Sequence, residues 1–228
     1  MSAENIGSEA IESVMHEERI FHPPQKGSEQ AHVKSKAEYQ RLYESSMQDP
    51  EGFWAQRAEE LITWDKKWDQ VLEEDWEKPE FKWFSGARLN ACANCLDRHI
   101  QNGRGDKTAI IWQGEPDEEV KTFTYQELYS EVCRFANVLK KLGVKKGDRV
   151  SMYLPMIPEL AIAMLATARI GAVHSVVFAG FSAHSLRNRI QDCQAKVLVT
   201  SDSVIRAGKT KPLKDNADEA LQECPSIE

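Results

Sequence analysis

Apolar and polar positions change rhythm along this chain, and each change marks an element. Val150-Ser-Met-Tyr-Leu154 is an alternating stretch closed by Pro155 and Pro158, which predicts a strand. Glu159 to Arg169 is Ala-rich and stops before Gly171, which predicts a helix. Val173 to Phe178 is β-branched and predicts a second strand, followed by the turn Ala179-Gly-Phe-Ser182. Ser182 suits an N-cap for a helix over 183–191, and Lys196-Val-Leu-Val-Thr200 predicts a third strand. A basic loop, Arg206-Ala-Gly-Lys209, comes next, and a last helix is expected from Pro212 to Gln222. Strands alternating with helices predict an α/β fold with a parallel sheet flanked by helices. In such sheets ligands collect at loops like the basic one.

Upstream, Leu128, Val132, Phe135, Leu139 and Leu142 recur at helical spacing behind Thr124-Tyr-Gln-Glu127, a capping-box sequence, and Gly143 ends the run. Thr108 to Trp112 and Glu119 to Phe123 predict two strands around the acidic turn Gly114-Glu-Pro. Leu89 to Gln101 predicts a helix with Cys92, Cys95 and His99 on one face. Earlier still, 37–46 and 50–64 predict helices, while 1–36 is polar, contains Pro23-Pro24, and predicts an arm.

Composition narrows the function classes. The 228 residues are 41% hydrophobic and 29% charged, as in an ordinary globular protein. A net charge of −7 argues against nonspecific binding to nucleic acid or an anionic membrane. The apolar stretch 160–181 carries Arg169 and His174 and is divided by Gly171, so a buried helix and strand are expected rather than a membrane span. Five cysteines, an odd number, and no secretory signal predict reduced thiols in the cytoplasm.

Candidate chemistry is sparse. Five of the six tryptophans fall between residues 50 and 85. Such crowding suits a stacking platform or a packing interface, and the acidic surroundings favour packing. Cys92-x2-Cys95-x3-His99 spells part of a zinc site but lacks a fourth ligand. Ser203 to Thr210 matches the end of a Walker A loop at Gly208, Lys209 and Thr210, yet Ser203 stands where the first glycine belongs. Gly180-Phe-Ser182 is no nucleophile elbow, and His174 in its apolar run is expected in the core. No catalytic or metal-binding residue is assigned. By spacing alone Arg206 to Lys209 is either an anion site or a solvated basic loop.

Several stretches together resemble the AMP-forming acetyl-coenzyme A synthetases of the adenylate-forming ligase superfamily. They include Phe81-Lys-Trp-Phe84, Asn94-Cys-Leu-Asp-Arg-His99, Thr124-Tyr-Gln-Glu-Leu128 and Val144-Lys-Lys-Gly-Asp-Arg-Val150. Tyr153 to Glu159, Ala168 to Phe178, Gly180-Phe-Ser182 and Arg206-Ala-Gly-Lys209 continue the series in order. The resemblance implies an N-terminal part of a longer enzyme. It divides the chain into an arm over 1–36, a helical Trp-rich segment over 37–93, and the incomplete start of the AMP-binding (adenylation) domain over 94–228. It implies a ligase that activates acetate with Mg2+ and ATP to acetyl-adenylate and passes the acetyl group to coenzyme A, releasing AMP and pyrophosphate. The Gly-rich phosphate loop, acyl pocket, ribose-binding aspartate and catalytic lysine of that family are expected beyond Glu228, so the chain alone is expected to be inactive. The family's coenzyme A contacts carry over to Arg206, Ala207, Gly208 and Lys209. The partners implied are small molecules and the rest of the same enzyme, with no nucleic acid or membrane. Two other readings stay open: a P-loop-like nucleotide-binding protein resting on Gly208-Lys209-Thr210, and a non-catalytic module docking through the tryptophan-rich segment.

Overall fold

A computed structural model describes residues 20–228. Of the arm expected over 1–36, residues 1–19 therefore lie outside the described residues. The chain separates into two bodies at Arg57/Ala58.

The described part of the first body is helical and thin. It contains α1 (Gln25–Gln30), α2 (Lys36–Gln48) and most of α3 (Pro50–Leu61). Ser35 caps α2 by accepting from the Glu38 amide, and the Glu38 carboxylate accepts from Lys34 N–H in return. No residue of α1 or α2 is buried.

In the second body the helical character expected through residue 93 gives way to sheet. Residues 70–75 and 80–85 pair antiparallel as β1 (Gln70–Asp75) and β2 (Glu80–Ser85). Phe84, at φ +53°, packs with Trp64 and Trp68 at 5.0–5.5 Å between ring centres, and Trp83 lies 5.9 Å from it. The aromatic crowding thus serves partly as a small packed cluster. Trp76, Phe81 and Trp83 remain well exposed.

The helix expected over 89–101 is broken. It forms α4 (Ala91–Cys95), then a single turn α5 (Asp97–His99) running into a π-type turn over Ile100–Arg104. Leu96, at φ −124° and ψ −65°, makes the break. Cys92 is buried whereas Cys95 is exposed, so the two do not share a face with His99. Among the described residues no three His, Cys, Asp or Glu side chains converge as metal ligands. The Asn94 to His99 stretch acts as a bracket instead. Asn94 exchanges two hydrogen bonds with the backbone of Thr63. Asp97 accepts two from Arg169, at 2.8 and 2.9 Å. That pairing raises the Arg169 pKa further, and burial pushes the Cys92 thiol up beside it.

Two further strands, β3 (Thr108–Gln113) and β4 (Val120–Thr124), form an antiparallel hairpin. The capping box forms as its sequence predicts and starts α6 (Tyr125–Lys141). The remaining elements are β5 (Arg149–Leu154), α7 (Pro158–Arg169), β6 (Val173–Phe178), α8 (Ala183–Cys193), β7 (Val197–Thr200), β8 (Ser203–Arg206), β9 (Lys209–Pro212) and α9 (Lys214–Leu221). Ser182 caps α8 as expected.

The parallel sheet has the order β6-β5-β7. Val150 aligns with His174 on one side and Val197 on the other. Alternation along β5 sends Val150, Met152 and Leu154 to one core, with Leu128, Val132, Leu139, Ala163 and Ala166 from α6 and α7. Tyr153 faces a second core with Leu186, Ile190, Ala217 and Ala220 from α8 and α9. β5 is therefore covered on both faces, which is why its sequence is apolar almost throughout. β6 lies at the sheet's edge. His174 there is half-buried rather than a core residue, and Val173, Val176 and Phe178 stay exposed.

The candidate ligand cleft at the strand ends

The connection leaving β5 turns to one face of the sheet. Those leaving β6 and β7 lead to helices on the other. Loops that part in this way open a crevice at the carboxyl ends of the strands. A cavity of about 780 Å³ lies there. Its floor is made by Pro155 to Ile157 after β5, Phe178 to Gly180 after β6, and Ser201 to Ser203 after β7. The β3–β4 turn supplies another wall, including Trp112, Glu115 and Glu119.

Each loop is tied down. Tyr153 is fully buried, and its hydroxyl lies 3.1 Å from the Ala179 carbonyl and 2.7 Å from that of Phe181. Asn216 of α9 donates to the same hydroxyl oxygen at 3.2 Å. One side chain of the central strand thus fixes the loop after β6 and meets the helix after β9. The Thr200 hydroxyl donates to the Tyr153 carbonyl, locking the ends of β5 and β7 together. Trp112 Nε1 donates to the Met156 carbonyl at 2.7 Å, which anchors the β3–β4 hairpin to the loop after β5.

The basic stretch expected as a loop is a β-hairpin. β8 and β9 pair antiparallel with Arg206 opposite Lys209, leaving Ala207 and Gly208 as a two-residue turn. Both have positive φ, +52° and +67°. Tight hairpins favour such turns because their twist matches that of the strands. Glycine adopts this backbone freely, whereas alanine at φ > 0 is strained. The hairpin also removes the Walker A reading. A phosphate loop must run from a strand into a helix, and here Lys209 and Thr210 lie inside β9.

All four predicted contact residues are exposed and adjacent at the tip, and Arg206 lines the cavity. Arg206 and Lys209 form no ion pair among the described residues. A guanidinium fork and an ammonium charge therefore flank a turn whose backbone amides are oriented outward, which is chemistry suited to an anion. Lys211 adds a third positive charge at the cavity wall.

Two features escaped the sequence. Nothing in the spacing linked Tyr153 to residues 179 and 181, because a tyrosine in an apolar strand reads only as core. Nor did it link Glu115 to the hairpin tip. The Ala207 and Gly208 amides both donate to the Glu115 carboxylate, at 2.6 and 2.8 Å. The acidic turn was visible in the sequence, but its partner lies 92 residues away.

Comparison with known proteins identifies the family and the fold. An acetyl-coenzyme A synthetase from Rubrobacter xylanophilus is 59% identical over 210 residues, which are 92% of this chain and 32% of that protein. An acetyl-coenzyme A synthetase from Deinococcus radiodurans is 51% identical over 218 residues, 96% of this chain and 33% of that one. The structure of acetoacetyl-CoA synthetase from Streptomyces lividans superposes with a TM-score of 0.78 at 31% identity, covering 90% of this chain and 31% of its own. This chain thus spans about a third of the length of the curated relatives it matches. The family described as acetyl-coenzyme A synthetase N-terminus matches residues 39–95, and that described as AMP-binding enzyme matches residues 96–228. With more than half of its length in that second match, and the adenylate-forming α/β sheet to go with it, the chain belongs to the AMP-binding enzyme family.

Proposed function

We propose that this chain is the opening part of an AMP-forming acetate–coenzyme A ligase, and that its own contribution is to hold the phosphates of coenzyme A. The observation that carries this reading is the β8–β9 hairpin: Arg206 and Lys209 flank a tight turn at the carboxyl ends of a parallel sheet. The names of the relatives, which cover both the N-terminal segment and the larger domain, support the choice of ligase. In this reading the boundary near residues 93/94 separates the N-terminal segment from the start of the adenylation domain. The two-step reaction with ATP, Mg2+ and acetate is assigned to the whole enzyme. The cytoplasm is the proposed setting, on the strength of five unpaired thiols. No helix of the described residues is long and apolar enough to cross a membrane.

Arg206 would grip a phosphate through two parallel N–H donors, and Lys209 would add a point charge from the facing strand. The cavity behind them offers an apolar wall of Met156, Ile157 and Phe178 for the less polar part of the ligand. Isothermal titration of the 228-residue chain with coenzyme A tests this. Arg206→Ala is expected to weaken binding roughly ten-fold, the scale of a charged hydrogen bond. Lys209→Ala should weaken it less. Equal binding by wild type and both variants would overturn the assignment. The chain alone is expected to catalyse no acetate-dependent ATP–pyrophosphate exchange, and exchange above background would refute its status as an opening part.

A further inference from the structure

The hairpin tip is engaged by a side chain of its own chain. Glu115 reaches it from the β3–β4 turn, and each of its carboxylate oxygens takes one of two successive amides, Ala207 and Gly208. Successive amides turned to one side make a concave anion-binding nest. Arg206 and Lys209 stand on either side of this nest, yet neither forms an ion pair with Glu115. Among the described residues the carboxylate is thus held by backbone amides, while the flanking cations remain available to an incoming anion.

We propose that Glu115 is an internal competitor: it occupies the Ala207–Gly208 amides until a phosphate-bearing ligand displaces it, and so biases the tip toward ligands with strong phosphate charge. This rests on reading the tip as a phosphate site. A carboxylate brings one negative charge and two oxygens to the nest. A phosphate monoester brings up to two charges and three acceptor oxygens, and it also engages Arg206 and Lys209. A dianion therefore wins the exchange, whereas a neutral or weakly charged ligand leaves Glu115 in place. Occupation by Glu115 lowers apparent affinity by the fraction of molecules whose amides are free. The contact is exposed and screened, so that factor is modest, on the order of five-fold.

The test uses the 228-residue chain and two probes, coenzyme A and inorganic pyrophosphate. With no ligand present, Glu115→Ala is expected to shift the amide proton resonances of Ala207 and Gly208 upfield. With either probe, Glu115→Ala and Glu115→Gln should tighten binding about five-fold. Glu119→Gln serves as the control, because its carboxylate borders the same cavity but makes no bond to the tip. It should change affinity less than two-fold, the scale of a screened charge alone. Phosphate-free pantetheine should bind all four chains alike. Unmoved Ala207 and Gly208 resonances would overturn the proposal, as would a gain from Glu119→Gln equal to that from Glu115→Gln. A different failure marks the underlying reading: the resonances move and pyrophosphate binding tightens, but coenzyme A binds no chain. In that case Glu115 guards an anion site of another ligand class.

Discussion

The loop leaving the central strand β5 and the β8–β9 hairpin line the same cleft, and strand and hairpin are built on opposite terms. From Val150 to Leu154 every residue of β5 is buried, between two cores and two neighbouring strands. Of the hairpin's eight strand residues and two-residue turn, none is buried. β5 derives its conformation from burial. The hairpin derives its own from strand pairing, a two-residue turn and one carboxylate. The difference points to a division of labour: the sheet fixes where the strand ends are, and the hairpin, held to the second core only through Val204 at its base, presents charge there from an exposed tip.

The comparison breaks if the core proves soft. Leu139 is fully buried in the core that also takes Val150, Met152 and Leu154 of β5, so Leu139→Ala should cost about 3–4 kcal/mol in urea unfolding, from lost burial and the cavity left behind. A cost under 1 kcal/mol would mean that the α6 face is not packed as described. A second, smaller loss is expected at the bracket. Asp97→Asn keeps the shape but leaves the partly buried Arg169 guanidinium without its charged partner, at a cost of about 2 kcal/mol. Arg169 also lies 4.7 Å from the Tyr129 ring, a contact that survives the substitution. A greater loss for Arg169→Ala than for Asp97→Asn would show that packing on Tyr129 adds to the ion pair.

These same regions show what the sequence could disclose. Burial on both faces leaves β5 an almost unbroken apolar run, while β6 and β7 are β-branched runs bounded by turn residues, so all three were legible to within a residue or two. The capping box of α6 was legible because its partners are three residues apart. The β1–β2 hairpin was not. Its strands carry Glu73, Glu74, Asp75 and Lys82 between the aromatics, and half-exposed edges leave little alternation to read. The break at Leu96 escaped for another reason. Residues 89–101 suit a helix locally, but Asn94 and Asp97 are drawn to Thr63 and Arg169, which are distant in sequence. At the candidate site the four tip residues came from family resemblance. Spacing alone could not separate an anion site from a solvated loop, and it missed the hairpin geometry because Ala-Gly is a weak turn signal beside Asn-Gly.

Tyr153→Phe sharpens the link between the two regions. It leaves the ring and its burial intact but removes the hydroxyl that joins the Ala179 and Phe181 carbonyls to Asn216. A loss of about 1 kcal/mol is expected, since a part-buried hydrogen bond is lost and Asn216 is left without its acceptor. If the hydroxyl positions the cleft, coenzyme A affinity should also fall in this variant. Asn216→Ala should then produce a weaker version of the same change. A stability loss with unchanged affinity would confine Tyr153 to the core.

The smallest effect is the most telling. The double substitution Arg206→Ala, Lys209→Ala removes two charges from an exposed hairpin in which neither takes part in an ion pair among the described residues. Exposed charges of this kind contribute little to folding, so the unfolding free energy should change by less than about 0.5 kcal/mol. Residues kept for stability would show the opposite pattern, a loss in urea comparable to that of Asp97→Asn. An unchanged unfolding curve together with lost coenzyme A binding would place the two functions in separate parts of the chain: β5 holding the frame, and the hairpin meeting the ligand.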